Sequence, residues 1–183
     1  IQSTPLQLCL MTAQIANGGY KIRPKIIVDN KPVSAEEAKT LMQQEILEGY
    51  GKKLFKNEKN IKIVQEAIFS STNERFGTSY RSRIDDPKYQ FAGKTGTAQV
   101  KRISKREREL DLELEQIPYK DRDHALYVAY GPYINPRYAL SIIVEHGGSG
   151  SKAAAPIAKK LFKLIIDRHE LRNEQSNFEE ISI

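Results

Sequence analysis

The chain has a single cysteine and no apolar run long enough to cross a membrane, and both scarcities limit what it can be. Cys9 has no second cysteine with which to form an internal disulfide, and its apolar helical surroundings predict a buried small side chain. No hydrophobic stretch approaches the ~18 residues of a membrane span, and no signal-peptide pattern is present. Because the chain starts at Ile1 inside a segment with helical pattern, we expect it to be a piece of a longer protein.

Metal-binding and nucleic-acid-binding patterns are also missing. The three histidines, His124, His146 and His169, have no metal-ligand spacing and no neighbouring cysteine, so we predict no metal and no cofactor. The net charge of +6 is compatible with nucleic acid, an anionic membrane surface or an anionic wall polymer. Because the basic residues are interspersed with acids and no aromatic–basic groove pattern appears, we predict no nucleic-acid partner.

What is present is the pattern of one globular domain. Hydrophobic residues are 39% and charged residues 28% of the 183 residues, which is enough to bury a core. Capping residues and apolar periodicity predict four helices, which begin at Thr4-Pro5, at Ser34, at Asn57 or Asn60, and at Lys152. We expect Ser149 or Ser151 to cap the last helix, which should end near Leu171.

Strand patterns cover residues 89–100, 124–131 and 137–146, and the spacing of the last two indicates an antiparallel hairpin. A strand-like arm is predicted over residues 20–29. Residues 101–123 are a charged insertion, which we expect to be a solvated hairpin extension or a short helix, and residues 173–183 are expected to be a frayed tail. The fold class is therefore α+β, with an antiparallel β-sheet of at least three strands covered by helices.

The strand from Phe91 to Val100 is unusual because its centre holds Lys94, Thr95, Gly96 and Thr97. Glycine weakens a strand unless something must approach its backbone closely. Alternation places Thr95 and Thr97 on one face and Lys94 and Gly96 on the other. Hydroxyls and an ammonium suit a carboxylate, the Thr97 N–H suits an oxyanion, and a free strand edge suits an extended peptide whose path Gly96 keeps clear. From this tetrapeptide alone, a substrate site and an ordinary surface strand both stay open.

Two short motifs elsewhere match nucleophile signatures. Ser149 to Lys152 matches Ser-x-x-Lys, in which the amine can take the serine proton, and Ser71 to Asn73 matches Ser-x-Asn. Both patterns are weak, and we interpret them as coincidences. Arg81 and Arg83 have the charge to bind an anion, but surface charge is the simpler interpretation.

The Lys94-Thr95-Gly96 strand resembles the third signature of the penicillin-interacting serine transpeptidases and β-lactamases, which carry Ser-x-x-Lys, Ser-x-Asn and Lys-[Thr/Ser]-Gly in that order. Thr4 to Leu8, followed by Asn17-Gly18-Gly19, resembles the helix that precedes this strand in class B penicillin-binding proteins. Asp123 to Pro132 and Val144 to Gly150 resemble the closing strands of that family. The combination is most similar to its elongation-specific transpeptidases.

This resemblance implies that residues 1–183 are the C-terminal portion of a transpeptidase domain with a β-lactamase-like fold. In the family, Ser-x-x-Lys and Ser-x-Asn precede the segment that begins here at Thr4, so the resemblance implies that this chain has no nucleophile and is inactive alone. The whole protein should cross-link peptidoglycan by serine acyl transfer. The implied catalytic residues are Lys94 and Thr97, and the implied substrate-binding residues are Lys94, Thr95, Gly96 and Thr97.

The resemblance also implies ligands and partners. The ligands are peptidoglycan stem peptides ending in D-Ala-D-Ala and β-lactam antibiotics, and the protein partners are a SEDS-family glycosyltransferase and the elongation machinery. The location implied is the outer side of a bacterial inner membrane, with the anchor outside this chain. We also expect the isolated piece to self-associate, because it exposes surface that the rest of the domain covers.

Two other functions stay open. One is a β-lactamase or D,D-carboxypeptidase of the same superfamily, against which the Thr4 to Leu8 helix and the Asp123 to Pro132 strand argue. The other is a non-catalytic β-lactam-sensing or scaffold module, which the absence of an upstream Ser-x-x-Lys would favour.

Overall fold

Three antiparallel strands form the sheet around which the chain is arranged. The structure is a computed structural model that describes residues 2–26, 34–101 and 112–181, with side chains as far as residue 172. The sheet has the order β1-β2-β3, and the first, third and last of the four α-helices pack against it, which confirms the predicted α+β class. The strands are β1 (Ala92–Ala98), β2 (His124–Gly131) and β3 (Tyr138–Val144), and the α-helices are α1 (Pro5–Ala16), α2 (Ala35–Leu47), α3 (Glu58–Asn73) and α4 (Ala155–Ile181).

The first three helices begin where capping side chains satisfy backbone N–H groups of the first turn. The Thr4 and Ser34 hydroxyls accept from the backbone N–H three residues on, and each helix closes a reciprocal capping box. The Asn57 side chain accepts from the Lys59 N–H, which selects Asn57 over Asn60 as the cap of α3. The predicted starts of these helices are therefore confirmed. None of the described helices is both long enough and apolar enough to span a bilayer.

The last helix begins differently from the prediction. Neither Ser149 nor Ser151 caps it, because their hydroxyls lie 3.1 Å from each other, and a π-helical turn over Gly150–Ala154 precedes α4. The chain enters this turn pressed against the sheet. A Cβ on Gly150 would lie only 2.4 Å from the Leu126 carbonyl oxygen, so the close approach requires glycine.

The structure differs from the predictions at the end of the last helix and at the arm over residues 20–29, and it describes only part of the charged insertion. Helix α4 runs to Ile181 instead of ending near residue 171, because no Gly or Pro interrupts it after residue 156. The strand predicted over 20–29 is wrong for its described part, where a single β-bridge joins Tyr20 to Lys53. Most of the charged insertion lies outside the described residues, and its described end forms two 3₁₀ turns, Leu114–Gln116 and Tyr119–Asp121.

The core lies between the sheet and α4. Phe91, which leads into β1, stacks on Phe162 of α4 with ring centroids 4.8 Å apart, and both rings are fully buried. Tyr127 of β2 meets Phe91 edge to face. Helix α1 packs against β2 and β3, and α3 lies along β1. The buried cluster comprises Ile84, Phe91, Ala125, Tyr127, Ala129, Ala154, Ala155, Ala158 and Phe162.

Truncating Phe162 should test this core. We expect Phe162→Ala to lower the free energy of unfolding by about 3–5 kcal/mol, because it removes a buried ring and leaves a cavity beside Phe91. Leu164→Ala, two residues along the same helix, should cost less than about 1 kcal/mol because Leu164 is 65% exposed. Urea unfolding monitored by circular dichroism measures both, and equal losses would contradict the assignment of the core.

Candidate active site

Among the strands that the structure describes, β1 lies at the edge of the sheet and pairs with β2 on one side only. Both backbone polar groups of Gly93 turn away from β2 and bond the Thr72 hydroxyl, with N···O 3.0 Å and O···O 3.1 Å. In an antiparallel pair the direction of these groups alternates from one residue to the next. The N–H and C=O groups of Thr95 and Thr97 therefore also point away from β2, towards the open edge.

Lys94 and Thr95 meet at this edge even though alternation starts their side chains on opposite faces. The Lys94 ammonium donates to the Thr95 carbonyl oxygen at 2.9 Å and lies 3.2 Å from the Thr95 hydroxyl. The lysine side chain thus bends along the strand edge and remains exposed. A positive charge and a hydroxyl placed together in this way suit a carboxylate ligand.

Thr97 and Gly96 leave the rest of the strand accessible. Thr97 is exposed, and its hydroxyl has no hydrogen-bond partner among the described residues. A Cβ placed on Gly96 would have one heavy atom within 4 Å, the Leu126 Cβ at 3.3 Å. These two positions therefore combine an unused hydroxyl with a backbone that a ligand can approach.

The loop after α3 brings a third hydroxyl to this group. Thr78 Oγ1 lies 3.3 Å from Thr95 Oγ1 and 3.2 Å from Ser71 Oγ. The loop folds back tightly at Gly77, where a Cβ would lie 2.4 Å from the Ser71 carbonyl oxygen. Sequence reasoning missed Thr78, for which the only available signal was Gly77, a glycine in the loop that follows α3.

Beneath the exposed edge lies a buried hydroxyl cluster, Thr72, Ser79 and Tyr127. Tyr127 Oη is 2.9 Å from Thr72 Oγ1 and 3.0 Å from Ser79 Oγ. Burial raises the pKa of the Tyr127 phenol above its ordinary value, although the hydrogen bonds with Ser79 and Thr72 act in the opposite direction. The phenol is therefore a neutral donor near pH 7. Sequence reasoning missed all three residues, because nothing in their spacing distinguishes them.

The other sequence candidates lie in structural roles. The Ser149 hydroxyl bonds Ser151 rather than a lysine amine. Asn73 donates to the Phe91 carbonyl oxygen at 2.9 Å and so ties α3 to the chain entering β1. Arg83 pairs with Asp85 at 2.9 Å, which leaves its guanidinium engaged at the surface.

Two of the histidines come together without forming a metal centre. The His124 and His146 rings lie 4.8 Å apart, and His124 Nδ1 accepts from the His146 backbone N–H at 3.0 Å. Within the described ranges, no three His, Cys, Asp or Glu side chains group closely enough to hold a metal ion.

Known proteins that are similar to this chain include peptidoglycan transpeptidases and penicillin-binding proteins. The chain is 33% identical over 163 residues to "Peptidoglycan D,D-transpeptidase MrdA" of Acinetobacter baumannii, covering 85% of this chain and 22% of that protein. A solved structure of Pseudomonas aeruginosa PBP2 in complex with WCK 5153 matches at a TM-score of 0.63 and 30% identity, covering 89% of this chain and 30% of that one. A solved complex of Helicobacter pylori PBP2 with MreC matches at a TM-score of 0.59 and 28% identity, covering 88% of this chain and 25% of that one.

The chain spans about a quarter of the length of the curated relatives it matches. The family model described as the penicillin binding protein transpeptidase domain matches residues 1–163. This match confirms the resemblance that the Lys94-Thr95-Gly96 strand and its flanking segments suggested. The chain therefore belongs to the penicillin-binding protein transpeptidase domain family.

Proposed function

We propose that the chain is the C-terminal part of the transpeptidase domain of a peptidoglycan D,D-transpeptidase, and that it carries the substrate-binding wall of the active site. The observation that carries the proposal is the exposed edge of β1. There the Lys94 ammonium lies beside the Thr95 hydroxyl, and the Thr97 hydroxyl is unused among the described residues. Family membership and the names of the relatives support the activity.

The proposed chemistry is acyl transfer through a serine supplied from outside this chain. That serine attacks the carbonyl of the D-Ala-D-Ala bond of a stem peptide, D-Ala leaves, and the acyl group passes to an amine of a second peptide. β-Lactams acylate the same serine. Without it, the wall described here binds but does not react.

Each residue of the strand has a role that follows from its position. The outward backbone groups of Thr95 and Thr97 pair with the extended stem peptide, whose path Gly96 leaves open. The Thr95 and Thr97 hydroxyls hold the terminal carboxylate beside the charge of Lys94. The Thr97 N–H donates to the oxyanion that forms when the serine attacks.

The partners of the whole protein belong to the same proposal. We place it on the outer side of a bacterial inner membrane, with its anchor outside this chain, working with a SEDS-family glycosyltransferase and the elongation machinery. The Helicobacter pylori relative, solved in complex with MreC, supports an assembly of this kind.

The isolated 183-residue chain should not be acylated by a fluorescent penicillin, because it contains no serine in the position that the chemistry requires. In-gel fluorescence after incubation measures this, and the intact protein, which should label, is the positive control. Covalent labelling of the isolated chain that maps to Ser149 would overturn the proposed division of the site.

In the intact protein, Lys94→Ala should slow acylation by about 100-fold or more, because it removes the positive charge beside the reacting centre. Lys160→Ala is the matched control, since Lys160 is exposed on α4 and the change in net charge is the same. Stopped-flow or gel-based assays measure the acylation rates of both variants and of the wild-type protein. A Lys94→Ala protein that acylates at the wild-type rate would remove Lys94 from the mechanism.

Thr97→Val should weaken acylation by about 10–100-fold, the value of one hydrogen bond to a charged group. The variant keeps the side-chain shape and the backbone N–H. Because the Thr97 hydroxyl has no partner in the described structure, the melting temperature should stay unchanged. The role of the Thr97 hydroxyl in holding the carboxylate is refuted if Thr97→Val is acylated at the wild-type rate. It is also refuted if the substitution slows acylation by a descarboxy penicillin, which has no carboxylate, as much as acylation by the parent drug.

A further inference from the structure

A buried hydroxyl cluster joins α3, the loop after it, and strands β1 and β2. Thr72 stands at its centre, within 3.2 Å of both backbone polar groups of Gly93, of Tyr127 Oη and of Ser79 Oγ. All three hydroxyl-bearing residues are at most 1% exposed. Buried polar groups of this kind fix geometry only if each of them is satisfied.

The donors and acceptors of the cluster can be assigned without conflict. A hydroxyl has one hydrogen to donate and can accept two. Thr72 accepts from the Gly93 N–H and donates to the Gly93 carbonyl oxygen, and Ser79 donates to the Ser71 carbonyl oxygen at 3.0 Å. Tyr127 then donates to Thr72 or to Ser79. Every hydrogen of the cluster is used.

The cluster holds β1 at the point where its open edge begins. Gly93 lies two residues before Thr95, and a Cβ on Gly93 would lie only 2.3 Å from Tyr127 Oη. The phenol therefore packs directly on the strand backbone and lies within hydrogen-bonding distance of both Thr72 and Ser79. Ser79 follows Thr78, whose hydroxyl lies 3.3 Å from that of Thr95. One cluster thus fixes both the strand and the loop that flanks it.

We propose that Thr72, Ser79 and Tyr127 are positioning residues, which set the open edge of β1 at the place where Thr95 and Thr97 meet the substrate. This inference rests on the proposed function. The residues act through Gly93 and do not touch the substrate. Displacing a reacting geometry by about 1 Å can slow an enzyme by about 100-fold, so a partial loosening of this clamp should be visible in the acylation rate.

The test compares two single-atom changes on β2 in the intact protein. Tyr127→Phe removes the phenol oxygen, which lies within 3.0 Å of the Thr72 and Ser79 hydroxyls and donates to one of them, and it should lower the second-order rate of acylation by a fluorescent penicillin about tenfold. Tyr130→Phe is the control three residues along the strand. Its oxygen is buried but has no partner among the described residues, so its removal should leave the acylation rate unchanged.

A second pair of variants, Thr72→Val and Thr72→Ser, tests the hydroxyl at the centre of the cluster. Thr72→Val keeps the shape and loses the hydroxyl, so it should slow acylation at least tenfold, whereas Thr72→Ser keeps the hydroxyl and should restore a rate near wild type. Melting temperatures are measured alongside. A merely structural role would lower the melting temperature and leave the acylation rate of the folded protein unchanged. If Thr72→Val fails to fold, the comparison of Tyr127→Phe with Tyr130→Phe in the acylation assay decides whether the cluster positions β1.

The outcomes separate the two proposals. A wild-type intact protein that fails to label with penicillin refutes the proposed function, and this inference with it. A wild-type protein that labels, with Tyr127→Phe and Thr72→Val equal to it in rate, refutes only the positioning role. Equal slowing by Tyr127→Phe and Tyr130→Phe also refutes it, because the effect would then not depend on the cluster.

Discussion

An edge strand leaves a row of backbone N–H and C=O groups without strand partners. The site depends on which of these groups on β1 are hydrogen-bonded within the chain and which are left for a ligand. The Thr72 hydroxyl bonds both groups of Gly93 and closes one end. The Thr95 carbonyl oxygen accepts from the Lys94 ammonium, while the Thr95 N–H and both backbone groups of Thr97 have no strand partner among the described residues. The open length is therefore short and polar, which discourages pairing with another sheet and still admits one extended peptide.

Stability and site geometry share side chains in this protein. Tyr127 packs its ring against Phe91 in the core, while its hydroxyl reaches Thr72 and Ser79 beneath the edge strand. The core thereby sets how far β1 lies from the end of α3. Gly93 is part of the same arrangement, because any larger residue would collide with the phenol. A glycine that weakens a strand in isolation is required here by the close approach of a buried ring.

Sequence reasoning succeeded where the responsible interactions are local. The capping boxes at Thr4 and Ser34 and the alternation of β2 and β3 predicted helices and strands that the structure confirms. It failed at the strand-like arm near Tyr20, where one bridge to Lys53 replaces a strand, and at the cap of the last helix. In both places the chain follows a neighbour distant in sequence rather than its own propensity.

The sequence by itself determined the four helices and the three strands of the sheet, the family, and the tetrapeptide Lys94 to Thr97 as the candidate site, because capping, alternation and motif order act over a few residues. Only the tertiary structure decided which hydroxyls stand around that tetrapeptide. Thr72 is 21 residues from Gly93 and 55 from Tyr127 along the chain. Packing α3 against the edge of the sheet brings these groups together, and no local pattern records such a contact.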